Sequence, residues 1–309
     1  MKKITLGRTG LKVSPICYGC CQMGQTLWGK QPVETLIEAV HAALDVGVNF
    51  FDTSDVYGHG TAERTLGQAL KGVSRDRFVV ATMVGHHLYD DGRWHHPDLS
   101  REYLLKACEA SLKRLGLDCI DLYQANGVDL LTPVGESAGA FEKLKKDGKI
   151  RVYGVSNFTV EEVRAARRFG KFETVQRYYN LLDTKAELDM LPYCVSEGLG
   201  VLVFTSLHWG MLTGKFKGGE TFGDLRAGNP HFKGEQFREF IARVENLRPI
   251  AEAKGCTVTQ LSLAATIAHP AIDCAIVGIK NAGQIREAAG AADVKLTREE
   301  CHAVREAIS

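Results

Sequence analysis

Short apolar runs alternate with longer amphipathic stretches along nearly all of the 309 residues, and this alternation restricts the fold more than any other feature. The short runs are rich in β-branched residues, which is typical of buried strands, and the stretches between them carry apolar residues at helical spacing. Eight strand-like runs occur, at Val13–Tyr18, Val48–Thr53, Phe78–Val84, Ile120–Ala125, Val152–Ser156, Thr174–Tyr179, Gly200–Thr205 and Cys274–Ile279.

The stretches between the runs have the spacing and the start signals of helices. Apolar residues fall on one face of Pro32–Val46, Thr61–Leu70, Arg101–Leu115, Gly135–Lys146 and Val160–Arg168. A Thr followed three residues later by Glu or Gln is the sequence signature of a capping box. This pattern marks three helix starts, at Thr159 with Glu162, Thr257 with Gln260 and Thr297 with Glu300.

Apolar strands joined by crossover helices form a parallel sheet that helices cover on its faces. Eight such units in this length favour the α/β class and a closed (β/α)8 TIM barrel, with residues 1–309 as a single domain. The turn at Thr9-Gly10 predicts an N-terminal β-hairpin across the barrel bottom, and extra helices are expected after strand seven and at the C-terminus. The Gly-rich stretch Leu207–Pro230 is too long for a plain connection, which favours a functional loop.

Charge and cysteine content narrow the classes of function. The 38 Lys and Arg residues nearly balance 37 Asp and Glu, and a net charge of +1 gives no field to attract nucleic acid or an anionic membrane. The start of the chain has no apolar segment of a secretory signal, and no run approaches the 18 apolar residues of a membrane span. Nine scattered cysteines indicate free thiols in a reducing compartment. We therefore expect a cytoplasmic protein that acts on a small molecule; the sequence predicts no oligomeric state.

Polar residues at the ends of the predicted strands are the first candidates for a site, because TIM barrels carry their sites there. Asp52 ends an apolar strand, where a carboxylate costs free energy unless it is paired. No Gly-x-Gly-x-x-Gly follows an early strand, which disfavours a Rossmann nucleotide site. The other candidates at strand ends are Tyr57, Met83, Asn126, Ser156, Asn157, Gln176 and Phe204.

Several long motifs in a fixed order resemble the aldo-keto reductase family. They are Leu6–Ser14, Asn49–Gly58, Glu63–Gly67, Asp121–Gln124, Gly148–Arg151, Gly154–Phe158 and Leu212–Lys215, and together they span almost the whole chain. The resemblance implies a barrel that binds NADP(H) in an extended pose and reduces aldehydes or ketones. It also implies a catalytic group of an Asp, a Tyr, a Lys and a His.

Two of those four catalytic positions are changed. Asp52 and Tyr57 occupy the positions of the Asp and the Tyr, whereas Met83 stands at that of the Lys and Asn126 at that of the His. An ammonium about 4 Å from a phenol, at an effective dielectric constant near 20, favours tyrosinate by roughly 4 kcal/mol. This interaction would lower the pKa of the phenol by about 3. Met83 removes it, so we expect Tyr57 to be neutral at pH 7.

These residues are compatible with three functions. The first is NADP(H)-dependent reduction of a carbonyl, weakened because a neutral phenol donates a proton poorly and accepts one worse. In the second, the pKa of Asp52 rises beside the Met83 thioether, and Asp52 and Tyr57 act as base and acid in a redox-neutral epimerisation, dehydration or isomerisation. The third is a cofactor-binding protein without catalysis, either engineered or regulatory.

The resemblance also implies the cofactor contacts. Ser156, Asn157 and Gln176 would hold the carboxamide, with Phe204 stacked on the nicotinamide. The pyrophosphate would lie against the loop after strand seven, at Leu207, Gly210, Leu212 and Lys215. The adenosine end would meet Gly278, Lys280, Gln284 and Glu287, with Lys280 and Gln284 near a 2′-phosphate.

The loop after strand three is rich in His and aromatic residues. Since its adjacent His pairs lack a fixed helical face and have no Cys nearby, we predict no metal site and favour a loop that covers substrate. The aromatic residues near the site suggest a sugar-like or cyclic substrate. The candidates for substrate contact are Trp28, His86, Trp94 and Trp209, and the loop also holds His87, Tyr89, His95 and His96.

Overall fold

A computed structural model describes residues 1–88 and 94–309, and of Leu88, Trp94 and His95 it describes only the backbone. The chain begins with the predicted hairpin, in which strand β1 (Ile4–Thr5) pairs antiparallel with β2 (Lys12–Val13). Leu6 and Leu11 of its turn are buried in the cluster that fills the barrel interior. The hairpin therefore closes the barrel at its bottom, as the sequence predicted.

Within the described residues, eight parallel strands close into a barrel in the order β3-β4-β5-β8-β9-β10-β11-β12. Strands β6 and β7 form a separate antiparallel hairpin that is inserted after β5. The bounds are β3 Ile16–Gly19, β4 Phe50–Asp52, β5 Val79–Val84, β6 His86–Leu88, β7 Trp94–Pro97, β8 Ile120–Asn126, β9 Ile150–Ser156, β10 Thr174–Tyr178, β11 Gly200–Phe204 and β12 Cys274–Gly278. The predicted (β/α)8 barrel is confirmed.

One strand prediction differs from the structure in a way that the sequence explains. The run Val13–Tyr18 is two elements, since Val13 ends the hairpin and the barrel strand begins at Ile16. Pro15 lies between them, and proline has no backbone N–H to donate to a sheet.

Helices alternate with the barrel strands, and their bounds are α1 Val33–Asp45, α2 Thr61–Leu70, α3 Arg101–Leu115, α4 Val134–Lys146, α5 Val160–Arg167, α6 Met190–Glu197, α7 Gly234–Glu245, α8 Arg248–Ala253, α9 Val258–Ile267, α10 Ala282–Gly290 and α11 Arg298–Ile308. All three predicted capping boxes form, at the starts of α5, α9 and α11. Helices α7 and α8 are the extra elements after the seventh barrel strand, and α11 is the C-terminal one. Among the described helices, none is long and apolar enough to cross a membrane.

Strand alternation determines which side chains reach the open end of the barrel. Phe50, Leu122, Val152 and Leu202 fill the interior. Residues two or four positions further along each strand have the same inward direction. They come at the carboxyl ends of the strands, and they are Asp52 on β4, Asn126 on β8, Ser156 on β9 and Phe204 on β11.

Candidate active site

A cavity of about 590 Å³ opens at the carboxyl ends of the barrel strands. Most of the residues that the sequence predicted for the site line it. They are Trp28, Asp52, Tyr57, Met83, Asn126, Ser156, Asn157, Gln176, Phe204, Leu207, Trp209, Gly210, Lys215, Gly278, Lys280, Gln284 and Glu287.

Two predicted residues lie outside the lining, and the prediction for a third, Trp94, cannot be compared with the described residues. Leu212 is fully buried in a second apolar core with Phe216 and Phe232, and it lies outside the cavity lining. His86 is also outside the lining, and its backbone carbonyl accepts a hydrogen bond from the Tyr103 hydroxyl. The side chain of Trp94 lies outside the described part of the chain, as does the whole of Tyr89.

Asp52 ends β4 at the floor of the cavity and is only 3% exposed. The Nε2 of Gln176 donates a hydrogen bond to its Oδ1 at 2.8 Å. Burial in the protein disfavours the ionised carboxylate and raises the pKa of Asp52 to about 7, and the Gln176 hydrogen bond only partly opposes this rise. Asp52 can therefore hold or release a proton near neutral pH.

Tyr57 follows Asp52 in a turn and is half-buried at the wall of the same cavity. The turn packs tightly on the segment Cys20–Gly24, since Gly58 has φ +59° and a Cβ there would collide with the carbonyl oxygen of Gly24. Burial is the largest of the effects that raise the pKa of the phenol well above 10. The neighbouring thiol of Cys21 and carboxyl of Asp52 raise it further. Tyr57 is thus a neutral phenol at physiological pH, which can donate a proton.

Met83 and Asn126 complete this end of the cavity with two uncharged side chains. Met83 is 2% exposed, so its thioether adds to the apolar surroundings. The Oδ1 of Asn126 accepts a hydrogen bond from the Nδ2 of Asn157 at 2.9 Å. The amide hydrogens of Asn126 are then the part of this side chain that can donate to a carbonyl.

A polar row next to Asp52 is suited to a planar amide. The Ser156 hydroxyl donates a hydrogen bond to the Oε1 of Gln176 at 3.2 Å, and the Nε2 of Gln176 donates one to Asp52. Phe204 lies beside this row with its ring edge-on to Tyr178, at 5.7 Å between centroids. Amide groups beside an aromatic ring fit a nicotinamide, whose carboxamide both donates and accepts hydrogen bonds.

The far end of the cavity is cationic. The pKa values of Lys215 and Lys280 are both lowered, mainly by burial. Repulsion by the nearby Arg226 lowers them further. Gly210 has φ +92°, and a Cβ there would lie 3.2 Å from the Lys215 Nζ, so the ammonium lies directly against the loop backbone. Cations that repel one another in a cleft are relieved by phosphate groups. These residues fit the pyrophosphate and the adenosine phosphate of a dinucleotide.

Hydrogen bonds within the protein hold Lys280 and the polar residues around it. Its backbone N–H donates to the Oε1 of Gln284 at 2.8 Å, and its Nζ donates to the carbonyl of Trp28 at the same distance. Glu287 accepts from the hydroxyl of Thr257. The bond to Trp28 joins the segment before α10 to the residues after β3, and the bond from Thr257 joins the start of α9 to α10.

Sequence reasoning missed Arg226 and Cys21, which also line the cavity. The Arg226 guanidinium pairs with Asp224 at 2.5 Å and lies over the rings of Phe222 and Trp28, at 4.6 and 5.9 Å. It belongs to the long Gly-rich loop, whose length was the only available signal. Cys21 lies in an apolar stretch that gave no signal, and burial raises the pKa of its thiol to about 11.

Two indoles line the cavity between the floor and the cationic end. Trp28 and Trp209 meet edge to face, with ring centroids 5.6 Å apart. Trp209 has a left-handed backbone conformation, with φ +55°. Such a conformation costs energy for a non-glycine residue and is typical of functional sites.

Comparisons with known proteins agree on one family. The model of the aldo/keto reductase family matches residues 15–309. The aldo-keto reductase YhdN of Bacillus subtilis is 35% identical over 289 residues, which cover 92% of this chain and 87% of YhdN. The structure of the glycerol dehydrogenase AKR11B4 from Gluconobacter oxydans superimposes with a TM-score of 0.91 at 32% identity, over 99% of this chain and 95% of that one.

The holo form of the aldo-keto reductase AKR11C1 from Bacillus halodurans is also similar, with a TM-score of 0.84 and 27% identity, over 100% of this chain and 97% of that one. Family model, sequence relatives and solved structures all extend over nearly the full length of this chain. The protein belongs to the aldo-keto reductase family.

Proposed function

We propose that the protein is an NADP(H)-dependent carbonyl reductase whose proton chemistry is altered because Met83 and Asn126 replace the Lys and the His of its family. Membership in the family supports an oxidoreductase that reduces carbonyl groups with a nicotinamide cofactor. The observation that carries the proposal is that Asp52, Tyr57, Met83 and Asn126 line one end of a cavity whose other end holds cations.

In this proposal each side chain has a separate task. The bound cofactor supplies the hydride. Tyr57 donates the proton to the carbonyl oxygen, since its raised pKa keeps the phenol protonated. Asn126 donates a hydrogen bond from its amide and orients the carbonyl, but it cannot change charge. Ser156, Asn157 and Gln176 hold the carboxamide.

The missing ammonium makes the two directions of the reaction depend differently on pH. Carbonyl reduction needs a proton donor, which a neutral phenol can be. Alcohol oxidation needs an acceptor, and a phenol with its pKa well above 10 leaves almost no tyrosinate for that purpose. Oxidation is therefore expected to become faster as the pH rises toward that pKa, whereas reduction is not, and at any one pH the equilibrium constant fixes the ratio of the two. The preference for NADP(H) over NAD(H) rests on Lys280, with Lys215 and Arg226 nearby, as partners for a 2′-phosphate.

The substrate in this proposal is a small carbonyl compound, sugar-like or cyclic, that contacts Trp28 and Trp209. The net charge of +1 and the nine free cysteines support a cytoplasmic protein that acts on a small molecule, with residues 1–309 as one domain.

Titration of NADPH fluorescence, followed by a carbonyl panel with the parent and Tyr57→Phe, tests the proposal. We expect saturable NADPH binding in both proteins and carbonyl-dependent NADPH oxidation that is lost in Tyr57→Phe. Absence of cofactor binding at millimolar NADPH would exclude the redox function. Binding without turnover of any carbonyl would instead favour a cofactor-binding protein without catalysis.

The pKa of Asp52 favours a second candidate, redox-neutral catalysis. A carboxyl group with a pKa of about 7 is suited to take and return a proton, and Tyr57 lies in the same cavity as an acid. Asp52 and Tyr57 would then epimerise, dehydrate or isomerise a hydroxy-carbonyl compound. Conversion of such a compound with no net consumption of cofactor would support this candidate, and its persistence in Asp52→Asn would exclude Asp52 as the base.

A further inference from the structure

The hairpin of β6 and β7 brings together three side chains that can ligate a metal ion. His87 comes from β6, His96 from β7 and Asp98 from the residues that follow β7. One ligand atom of each lies within 4.8 Å of those of the other two. None of the three is fully buried, so an ion can reach them from solvent.

The surroundings already orient two of the three groups. The Nδ1 of His87 lies 3.2 Å from the Oδ2 of Asp98, while the other carboxylate oxygen accepts a hydrogen bond from the backbone N–H of Ser100 at 3.0 Å. Ser100 is the N-cap of α3, so the carboxylate is fixed to the start of that helix. The His87 ring also stacks on Tyr103, with 4.9 Å between centroids.

His96 supplies the third group from the opposite strand. Its ring is stacked near that of His87, with centroids 5.6 Å apart, and its side chain is exposed. An exposed side chain is accessible to an ion from solvent. Metal ions such as Zn²⁺ bind imidazole nitrogen and carboxylate oxygen at about 2.0–2.2 Å, so ligand atoms within 4.8 Å of one another need only small side-chain rotations to reach one ion.

We propose that His87, His96 and Asp98 bind one divalent transition-metal ion. Two imidazoles and one carboxylate suit Zn²⁺ and Ni²⁺ better than Mg²⁺ or Ca²⁺, which prefer sets of oxygen ligands. Three protein ligands leave at least one coordination position for water or another small ligand. The sequence predicted no metal in this loop because adjacent His pairs lack a fixed face, but the fold adds Asp98 and brings the two strands together.

The ion would link β6 to β7 next to the active-site cavity. Gly85 connects β5 to this hairpin, and a Cβ at Gly85 would lie only 2.7 Å from the backbone oxygen of Asn126. The base of the hairpin is thus packed on the strand end that carries a cavity residue. Binding of the ion is expected to strengthen the pairing of β6 with β7 and to leave the cofactor end of the cavity unchanged.

Isothermal titration calorimetry of the full chain, with any polyhistidine tag removed, tests the site. Ni²⁺ is the preferred probe, because Zn²⁺ also binds thiolates and four cysteines of this chain are half-buried. We expect one equivalent of Ni²⁺ to bind the parent and at least tenfold weaker binding in His87→Ala, His96→Ala and Asp98→Asn. His302→Ala removes an exposed imidazole elsewhere on the surface and serves as the matched control, with unchanged binding.

Hydrogen exchange gives a second readout. The backbone amides of His86–Leu88 should exchange more slowly in the parent when Ni²⁺ is added, and this protection should be absent in His96→Ala, which removes a ligand at an exposed position. Absence of saturable Ni²⁺ binding would overturn the proposal. So would binding that His87→Ala or His96→Ala leaves intact, or that His302→Ala abolishes.

Discussion

The raised pKa of Asp52 predicts that Asp52→Asn increases the free energy of unfolding. The increase is expected only at pH values at which the carboxyl group of the unfolded protein is ionised. Burial raises the pKa from an ordinary value of 3.8 to about 7 in the folded protein. The raised pKa does not change the free energy of unfolding below about pH 3, where Asp52 is protonated in both the folded and the unfolded protein. The unfolded state gains stability from ionisation as the pH rises, and the folded protein loses relative stability until the pH passes 7.

The magnitude follows from the two pKa values. One pKa unit corresponds to about 1.4 kcal/mol, so ionisation of Asp52 lowers the free energy of unfolding by roughly 4 kcal/mol at pH 8 and by about 2 kcal/mol at pH 5. Asparagine has nearly the same shape, cannot ionise and can still accept the hydrogen bond from Gln176. We therefore expect Asp52→Asn to raise the free energy of unfolding by up to about 4 kcal/mol at pH 8.

Urea unfolding of the parent and Asp52→Asn at pH 5 and pH 8, without cofactor, measures this difference. Asp118→Asn, at an exposed position, is the matched control and should change the free energy of unfolding by less than about 0.5 kcal/mol at either pH. A stabilisation of Asp52→Asn that grows between the two pH values supports the reasoning. Equal or lower stability of Asp52→Asn at pH 8 would refute it, because the ionised carboxylate would then be well accommodated.

Three further outcomes follow from the contacts described above. Lys280→Met should weaken NADPH binding at least tenfold and NADH binding much less, because only NADPH carries the 2′-phosphate; comparable losses in fluorescence titrations with both would contradict this role. Arg114→Met leaves the fully buried Glu63 without its ion-pair partner and should lower the free energy of unfolding, measured in urea, by about 3 kcal/mol. A loss below about 1 kcal/mol would contradict this role of the ion pair. Gly58→Ala should weaken NADPH-dependent reduction and lower the melting temperature, because a Cβ there meets Gly24 and displaces the turn that holds Tyr57; an unchanged melting temperature would contradict that tight packing.

The barrel could be predicted from the sequence because its determinants are local. Continuous apolar strand runs, one-sided helices and capping boxes such as Thr159 with Glu162 each depend on a few neighbouring residues. The same holds for Asp52, since a carboxylate at the end of an apolar strand is unusual enough to stand out. Its raised pKa followed from the same surroundings, an apolar strand end beside Met83.

Residues that meet only in three dimensions could not be predicted. Arg226 reaches the cavity because its loop folds back over the chain, where the N–H of Leu225 donates to the carbonyl of Leu27. Leu212 lies in a segment that the resemblance places at the cofactor, but the turn directs its side chain into an apolar core. Asp98 joins His87 only because α3 begins directly after the hairpin. In each case the determining contact is made by a residue distant in the chain or by the direction of a side chain.

The central claim is that Tyr57 works without the cation and the imidazole that its family supplies. The most direct test is kcat/KM for carbonyl reduction and for oxidation of the matching alcohols, measured on the parent and on the double variant Met83→Lys with Asn126→His. Proton transfer by a well-placed acid or base contributes about 100-fold or more. We predict that the double variant is faster in both directions, and by similar factors at one pH, because the equilibrium constant fixes the ratio of the two kcat/KM values while cofactor affinity is unchanged. A double variant that is no faster than the parent on any carbonyl would contradict the account.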